Sequence, residues 1–261
     1  MPGFAEQFIW YAAIVMHVWL VLQFWRLRLI ARYPAIFSVV LLQLVRSAWV
    51  VQYTTSPERF QTHANQYFFT ILFTEPILIA VRVAAVFELS REALHSYRGL
   101  SIFGRATMAI TLSASLAASL FLHWAEFTFT GEPYRWLRVL YLLETTVYSA
   151  LLLFLLLLAF FVLYHPAPIR RNLLAHGVGF GVYMLSSAAA VWLRNQDAGL
   201  WTRAASTLRL VVGVAGLVAW AALLRAQGEE ELVDVHVPLS RETERQVLAR
   251  LDALNSVLER K

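Results

Sequence analysis

Seven stretches, each long enough to cross a bilayer, follow one another from Phe8 to Leu224 with only short polar gaps between them. A bilayer core takes about 20 predominantly apolar residues per helix. The qualifying stretches are Phe8–Leu27, Pro34–Tyr53, Tyr67–Leu89, Phe103–Trp124, Trp136–Tyr164, Leu173–Leu193 and Ala204–Leu224. The gaps hold helix-stopping residues such as Ser56-Pro57, Gly131-Glu132-Pro133 and His165-Pro166-Ala167-Pro168. Only 15% of the 261 residues are charged, where a soluble domain carries about 25%. The expected fold is all-α: a polytopic membrane bundle of seven transmembrane helices in residues 1–225, an acidic linker in 226–239 and an amphipathic cytoplasmic helix in 240–261.

Arginine placement predicts the orientation. The first, third and fifth loops hold Arg26, Arg28, Arg32, Arg91, Arg98, Arg105, Arg170 and Arg171, against Arg59, Arg135, Arg138, Arg194 and Arg203 in the others. The positive-inside rule then puts the N-terminus outside and the C-terminus in the cytoplasm of a bacterial inner membrane. Trp10, Trp49, Trp124, Trp136, Trp192 and Trp201 fall at the ends assigned to the outer face, where indoles favour the headgroup layer. The start of the chain lacks a basic n-region, so the first span reads as a retained helix rather than a cleaved signal.

Several chemistries are excluded by residue type. With no cysteine there is no thiolate metal site, iron–sulfur cluster, covalent haem or disulfide. The single lysine, Lys261, lies outside the spans, which removes a retinal Schiff base. All three aspartates, Asp197, Asp234 and Asp252, lie outside the spans, and no H-E-x-x-H occurs, so intramembrane hydrolase chemistry lacks its residues. The histidines are scattered, His17 and His123 at unmatched depths, which disfavours a bis-histidine haem. No enzyme, cofactor or metal is expected.

Ionisable groups inside spans are costly and therefore candidates for function. Arg46, Glu75, Glu144 and Arg209 come from four different spans, and helix rise places all four roughly 8–12 Å below the outer surface. His17 lies at similar depth, with Ser186 and Ser187 at or slightly below it. Two readings stand: a layer of structural ion pairs, or an outward-facing pocket for a small polar or zwitterionic molecule. Pro76 leaves the carbonyl of Leu72 without its helical donor, so a bend or hinge is expected beside Glu75. Arg82 shares that face two turns deeper, too far for direct pairing unless water intervenes. Gly177 and Gly181 on the sixth span, and Thr111 and Ser115 on the fourth, are expected to mark close helix packing.

Four short phrases, Arg32-Tyr33-Pro34, Thr74-Glu75-Pro76, Phe87-Glu88-Leu89 and Arg170-Arg171-Asn172, together resemble a group of uncharacterised bacterial seven-helix integral membrane proteins. The architecture is also similar to the membrane input modules of sensor kinases, here with no output enzyme. The resembled group carries no function over; the architecture, with the Arg46/Glu75/Glu144/Arg209 layer, is read as a receptor-like or sensory module. The alternatives are a small-solute or proton-coupled carrier using Glu75 and Glu144, and a structural subunit of a larger complex. In the tail, Val247, Leu251, Leu254 and Leu258 follow the spacing of a coiled-coil seam. Expected partners are membrane lipid and, through that helix, a second copy or another protein; nucleic acid is not expected.

Overall fold

The computed structural model describes residues 4–54, 57–95, 102, 106, 107, 109–114, 117, 118, 121, 135–164, 169–196, 201–233, 246, 248–250 and 253. Among them lie six long helices: α1 (Phe4–Arg26), α2 (Pro34–Thr54), α3 (Pro57–Ala93), α4 (Arg135–Tyr164), α5 (Arg171–Gln196) and α6 (Trp201–Leu223). Two short strands, β1 (Ile169–Arg170) and β2 (Leu232–Val233), pair antiparallel. Five of the helices are long and apolar enough to cross a membrane, and α6 carries a shorter apolar run, Leu210–Leu223. The chain is a helical, membrane-embedded protein.

Helix limits follow the apolar stretches closely, because backbone groups in hydrocarbon must be satisfied within the segment. The exception is α3, which starts at Pro57, well before its apolar run. Its backbone leaves helical angles at His63, with φ −114° and ψ 18°. The non-helical angles thus fall in the polar lead-in, while Pro76 lies inside the helix. Around Pro76, α3 packs between α2 and α4 in the bundle.

The six helices close a ring. Each packs on the next in chain order, α6 returns to α1, and α3 touches α5 across the middle. Polarity is inverted relative to a soluble bundle. Arg82 and Glu75 are 1% and 3% exposed, while Phe8 and Phe73 on outward faces are 69% and 68% exposed. Leu20, Phe24, Ile36, Val86, Leu151 and Met184 fill the half of the ring where α1 and α3 end. Lipid tails are as apolar as these side chains, so dispersion and close fit hold them rather than transfer from water.

That filled end is fastened by polar contacts. α1 stops in a Schellman turn: the Leu29 N–H donates to the Phe24 carbonyl at 2.9 Å, with Arg28 at φ 55° in the left-handed position. The Glu88 carboxylate of α3 accepts from the Ala35 and Ile36 N–H groups at 3.3 and 3.0 Å, capping α2 from another helix. The acidic segment is not a free linker through residue 233. Residues Ala226–Glu229 form a 3-10 turn, β2 pairs with β1, and buried Asn172 brackets Arg225, accepting from its N–H and donating to its carbonyl. Glu229 pairs with Arg32 at 3.0 Å and Glu231 with Arg171 at 2.8 Å. Burial and the neighbouring Glu229 push the Tyr33 hydroxyl upward, so it stays a donor to that carboxylate. The partner-helix positions Val247, Leu251, Leu254 and Leu258 lie outside the described residues, as does Ser115; Thr111 is half-buried on helical backbone.

Close packing falls on a different glycine from those expected. Among the described residues, a Cβ at Gly177 or Gly181 would meet no atom within 4 Å, whereas one at Gly179 would come within 2.6 Å of the Trp220 ring. The reason is angular: α6 meets the face of α5 that carries Gly179, and the other two glycines lie in the wall of an apolar groove. Overpacking costs about 1–3 kcal/mol. Gly179→Ala should lower the thermal unfolding midpoint in detergent, while Gly177→Ala and Gly181→Ala leave it unchanged or raise it. Equal loss from all three would refute this assignment.

Candidate functional site

Glu75 lies in the middle of α3, where an unpartnered carboxylate would be strongly unfavourable. Three donors meet it. Arg46 of α2 pairs with one oxygen. Arg82 Nη1 donates to the other at 3.0 Å, and the Tyr148 hydroxyl of α4 donates to that same oxygen at 3.2 Å. The expectation that Arg82 is out of reach is corrected here. Seven residues span about 10 Å along a helix, but helical side chains lean toward the N-terminus, so Arg82 reaches back to Glu75.

Arg82 is held from every side. Its Nη2 donates to Gln43 Oε1 of α2 at 3.1 Å, and its guanidinium carbon lies 5.1 Å from the ring centroids of both Tyr148 and Tyr183. A planar cation suits aromatic faces in a dry site. Only its Nε, also buried, has no partner among the described residues.

This cluster forms part of the wall of a cavity of about 400 Å³. The cavity lies toward the end of the ring where α1 begins, reaching Trp10, Tyr67 and Leu140, and its floor is Arg82. His17, Arg46, Glu75 and Glu144 all line it, so the structure brings together four of the five residues expected in the charged layer. The fifth, Arg209, is on α6, and its side chain lies outside the described residues. His17 Nδ1 donates to the Ala13 carbonyl at 2.7 Å, which leaves Nε2 as the ring's acceptor in the neutral form. Below Arg82 is a second space of about 40 Å³, bordered by His17, Gln43 and Tyr183 as well. Ser186 and Ser187 do not join the wall: Ser186 donates to the Tyr183 carbonyl and Ser187 is fully buried.

Sequence reasoning missed Gln43, Tyr148 and Tyr183. A signal existed for two of them. Gln43 stands three residues before Arg46, and Tyr148 four after Glu144, so each shares a helical face with a residue already singled out. Tyr183 carried none, because one tyrosine in an apolar helix looks like any aromatic. Elsewhere, buried His176 accepts a hydrogen bond from Trp220 Nε1 at 2.9 Å, tying α5 to α6. Among the described residues no three His, Asp or Glu side chains gather as metal ligands.

Comparison of the chain with protein-family models, with curated proteins and with solved structures finds no match. The functional reading therefore rests on the cavity and its chemistry.

Removing one partner of a buried ion pair costs about 3–5 kcal/mol, because the other charge is left uncompensated. A hydrogen bond to a charged group contributes about 1.5–3 kcal/mol. Glu75→Gln, which strands both Arg46 and Arg82, should therefore lower the unfolding midpoint more than Tyr148→Phe does. The reverse order in a thermal melt would mean that Glu75 is not the anchor of the cluster.

Proposed function

We propose that the chain is a receptor-like membrane module. It takes a small polar molecule into the charged cavity and passes the resulting change to its tail or to a partner protein. The observation that carries this is the cavity of about 400 Å³, with Arg46, Glu75, Glu144 and His17 in its wall. Structural ion pairs alone would need no such space. A volume of that size lies within the range of small-molecule sites. A carrier would have to open the opposite end as well, and that end is filled by Phe24, Ile36 and Met184 and bolted by the Arg32–Glu229 and Arg170–Glu92 pairs. Binding without passage is the better fit.

In this reading the six ring helices and residues 103–124 make seven spans, and the excess of arginine in the odd loops puts the filled end in the bacterial cytoplasm. The cavity then opens outward. A reporter that is active only in the cytoplasm, fused after Lys261, should be active; a reporter that needs the periplasm should be silent there. The opposite pattern overturns the orientation.

Gly213 lines the cavity, and a Cβ there would meet nothing within 4 Å. A Cβ at Gly213 therefore has room, Gly213→Leu carries the larger side chain into the cavity that Gly213 lines, and replacing a helical glycine removes a penalty of roughly 1 kcal/mol. Native mass spectrometry of the full chain from membranes should detect a bound small molecule in wild type. The Gly213→Leu protein should be equally or more stable and free of it. Equal retention by both proteins, or no bound molecule in either, would refute the pocket; solute flux into proteoliposomes that is lost in Glu75→Gln would favour a carrier.

A further inference from the structure

A crevice on the lipid-facing side of the ring, between α4 and α5, has a chemistry opposite to that of the charged cavity. Its volume is about 360 Å³, and every described residue in its wall is aliphatic, alanine or glycine. It opens away from the bundle, since Leu156 and Leu185 of the wall are each 58% exposed. Gly177 and Gly181 lie one turn apart along it, and a Cβ on either would meet nothing within 4 Å. None of the described residues between 102 and 121 lines it.

The crevice has the depth of one leaflet. Its wall runs from Leu152 to Val162 on α4 and from Leu173 to Leu185 on α5, about 15 and 18 Å at helical rise. One leaflet supplies half of a hydrocarbon core of about 30 Å. At one end Leu89 and Ala93 of α3 and Ile169 of β1 join the wall, so the crevice belongs to the leaflet on the side of the tail.

That end carries cations. Arg32, Arg91 and Arg170 converge on the single carboxylate of Glu92, the neighbour of Ala93 in sequence. Arg32 is shared with Glu229, Arg171 is committed to Glu231, and Glu88, which caps α2, is near enough to Arg91 to feel its charge. Arg170, next to Ile169, donates Nη1 to Glu92 at 3.2 Å, and its Nη2 and Nε have no partner among the described residues. Arg91 is 65% exposed and reaches Glu92 only at 3.5 Å. Unspent guanidinium donors in this geometry suit phosphate oxygens. Because α4 and α5 are already packed on each other, the crevice between them admits a thin unbranched chain more readily than the backbone of a third helix, the usual partner of such a glycine pair.

We infer that the crevice is a site for an anionic phospholipid of the leaflet on the tail side, with one acyl chain along Gly177 and Gly181 and its phosphate on Arg170 and Arg91.

The test loads the full chain, delipidated in detergent, with equal amounts of phosphatidylglycerol and phosphatidylcholine of identical acyl chains. Native mass spectrometry reads the lipid retained. One hydrogen bond to a charged group is worth about tenfold in affinity, so phosphatidylglycerol should be retained at least about tenfold over phosphatidylcholine. Arg170→Gln should reduce that preference, and Gly181→Leu, which carries its side chain into the crevice, should reduce retention of both lipids. Because either variant could unfold, the wild type has a second readout. Phosphatidylglycerol with a photoreactive diazirine on its acyl chain, dilute in phosphatidylcholine nanodiscs, should label residues 152–162 and 173–185 above the exposed face of α1. Equal retention of the two lipids, a preference that survives both substitutions, or even labelling around the bundle overturns the site. A dimer that Gly181→Leu abolishes gives the crevice to a second copy and overturns it as well.

Discussion

A single buried carboxylate sets the terms for the rest of the bundle. Within hydrocarbon, apolar faces do not sort themselves, since lipid covers a leucine as well as a neighbouring helix does. Polar groups do sort, because each must find a partner or stay unsatisfied. Glu75 draws Arg46 from α2, Arg82 from its own helix and Tyr148 from α4 to one point. Those contacts decide which faces of three helices turn inward. Arg82 extends the constraint to α5 through the Tyr183 ring. Helix rotation, which hydrophobicity leaves loose, is thereby fixed at the level of the cavity.

The other end of the ring is fixed by a second polar layer with a different job. Arg32, Arg170 and Arg171 predict orientation by their number, and the same three side chains hold Glu92, Glu229 and Glu231. The topology signal and the fastening of the tail are thus one set of residues. The positive-inside rule counts arginines and gives little weight to acids, so pairing does not weaken it. Pairing also neutralises two of the acids of the linker, Glu229 and Glu231, on the bundle. Arg28 belongs to this layer as well. Glycine would sit in its left-handed position with less strain, and the arginine keeps one more positive charge at that face.

Span positions were legible because they depend on one physical quantity, the length of an apolar run. α2 and α4 begin and end within about a residue of where hydropathy places them. The charged layer was legible as a depth, since helix rise is constant. Its bonding was not: the Arg82–Glu75 pair depends on side-chain lean, and Tyr148 and Gln43 became partners only through helix rotation. Glycine pattern gave the wrong contact for the same reason. Gly177-x-x-x-Gly181 is a face, and which face meets α6 is a tertiary fact that selected Gly179 instead.

The empty space beside Gly213 argues for function more strongly than the ion pairs do. Ion pairs can be kept for register alone. A cavity has no such use: its lining atoms forgo dispersion contacts they would make if it were filled. Here a first step would be simple, because a Cβ at Gly213 would meet nothing within 4 Å and would also relieve a helical glycine. Stabilising changes of this kind are common and usually tolerated, except where activity needs the unfilled geometry. Space left open at such a position, in a cavity whose wall also holds the paired Arg82 guanidinium, is what a binding site requires and a purely structural bundle does not.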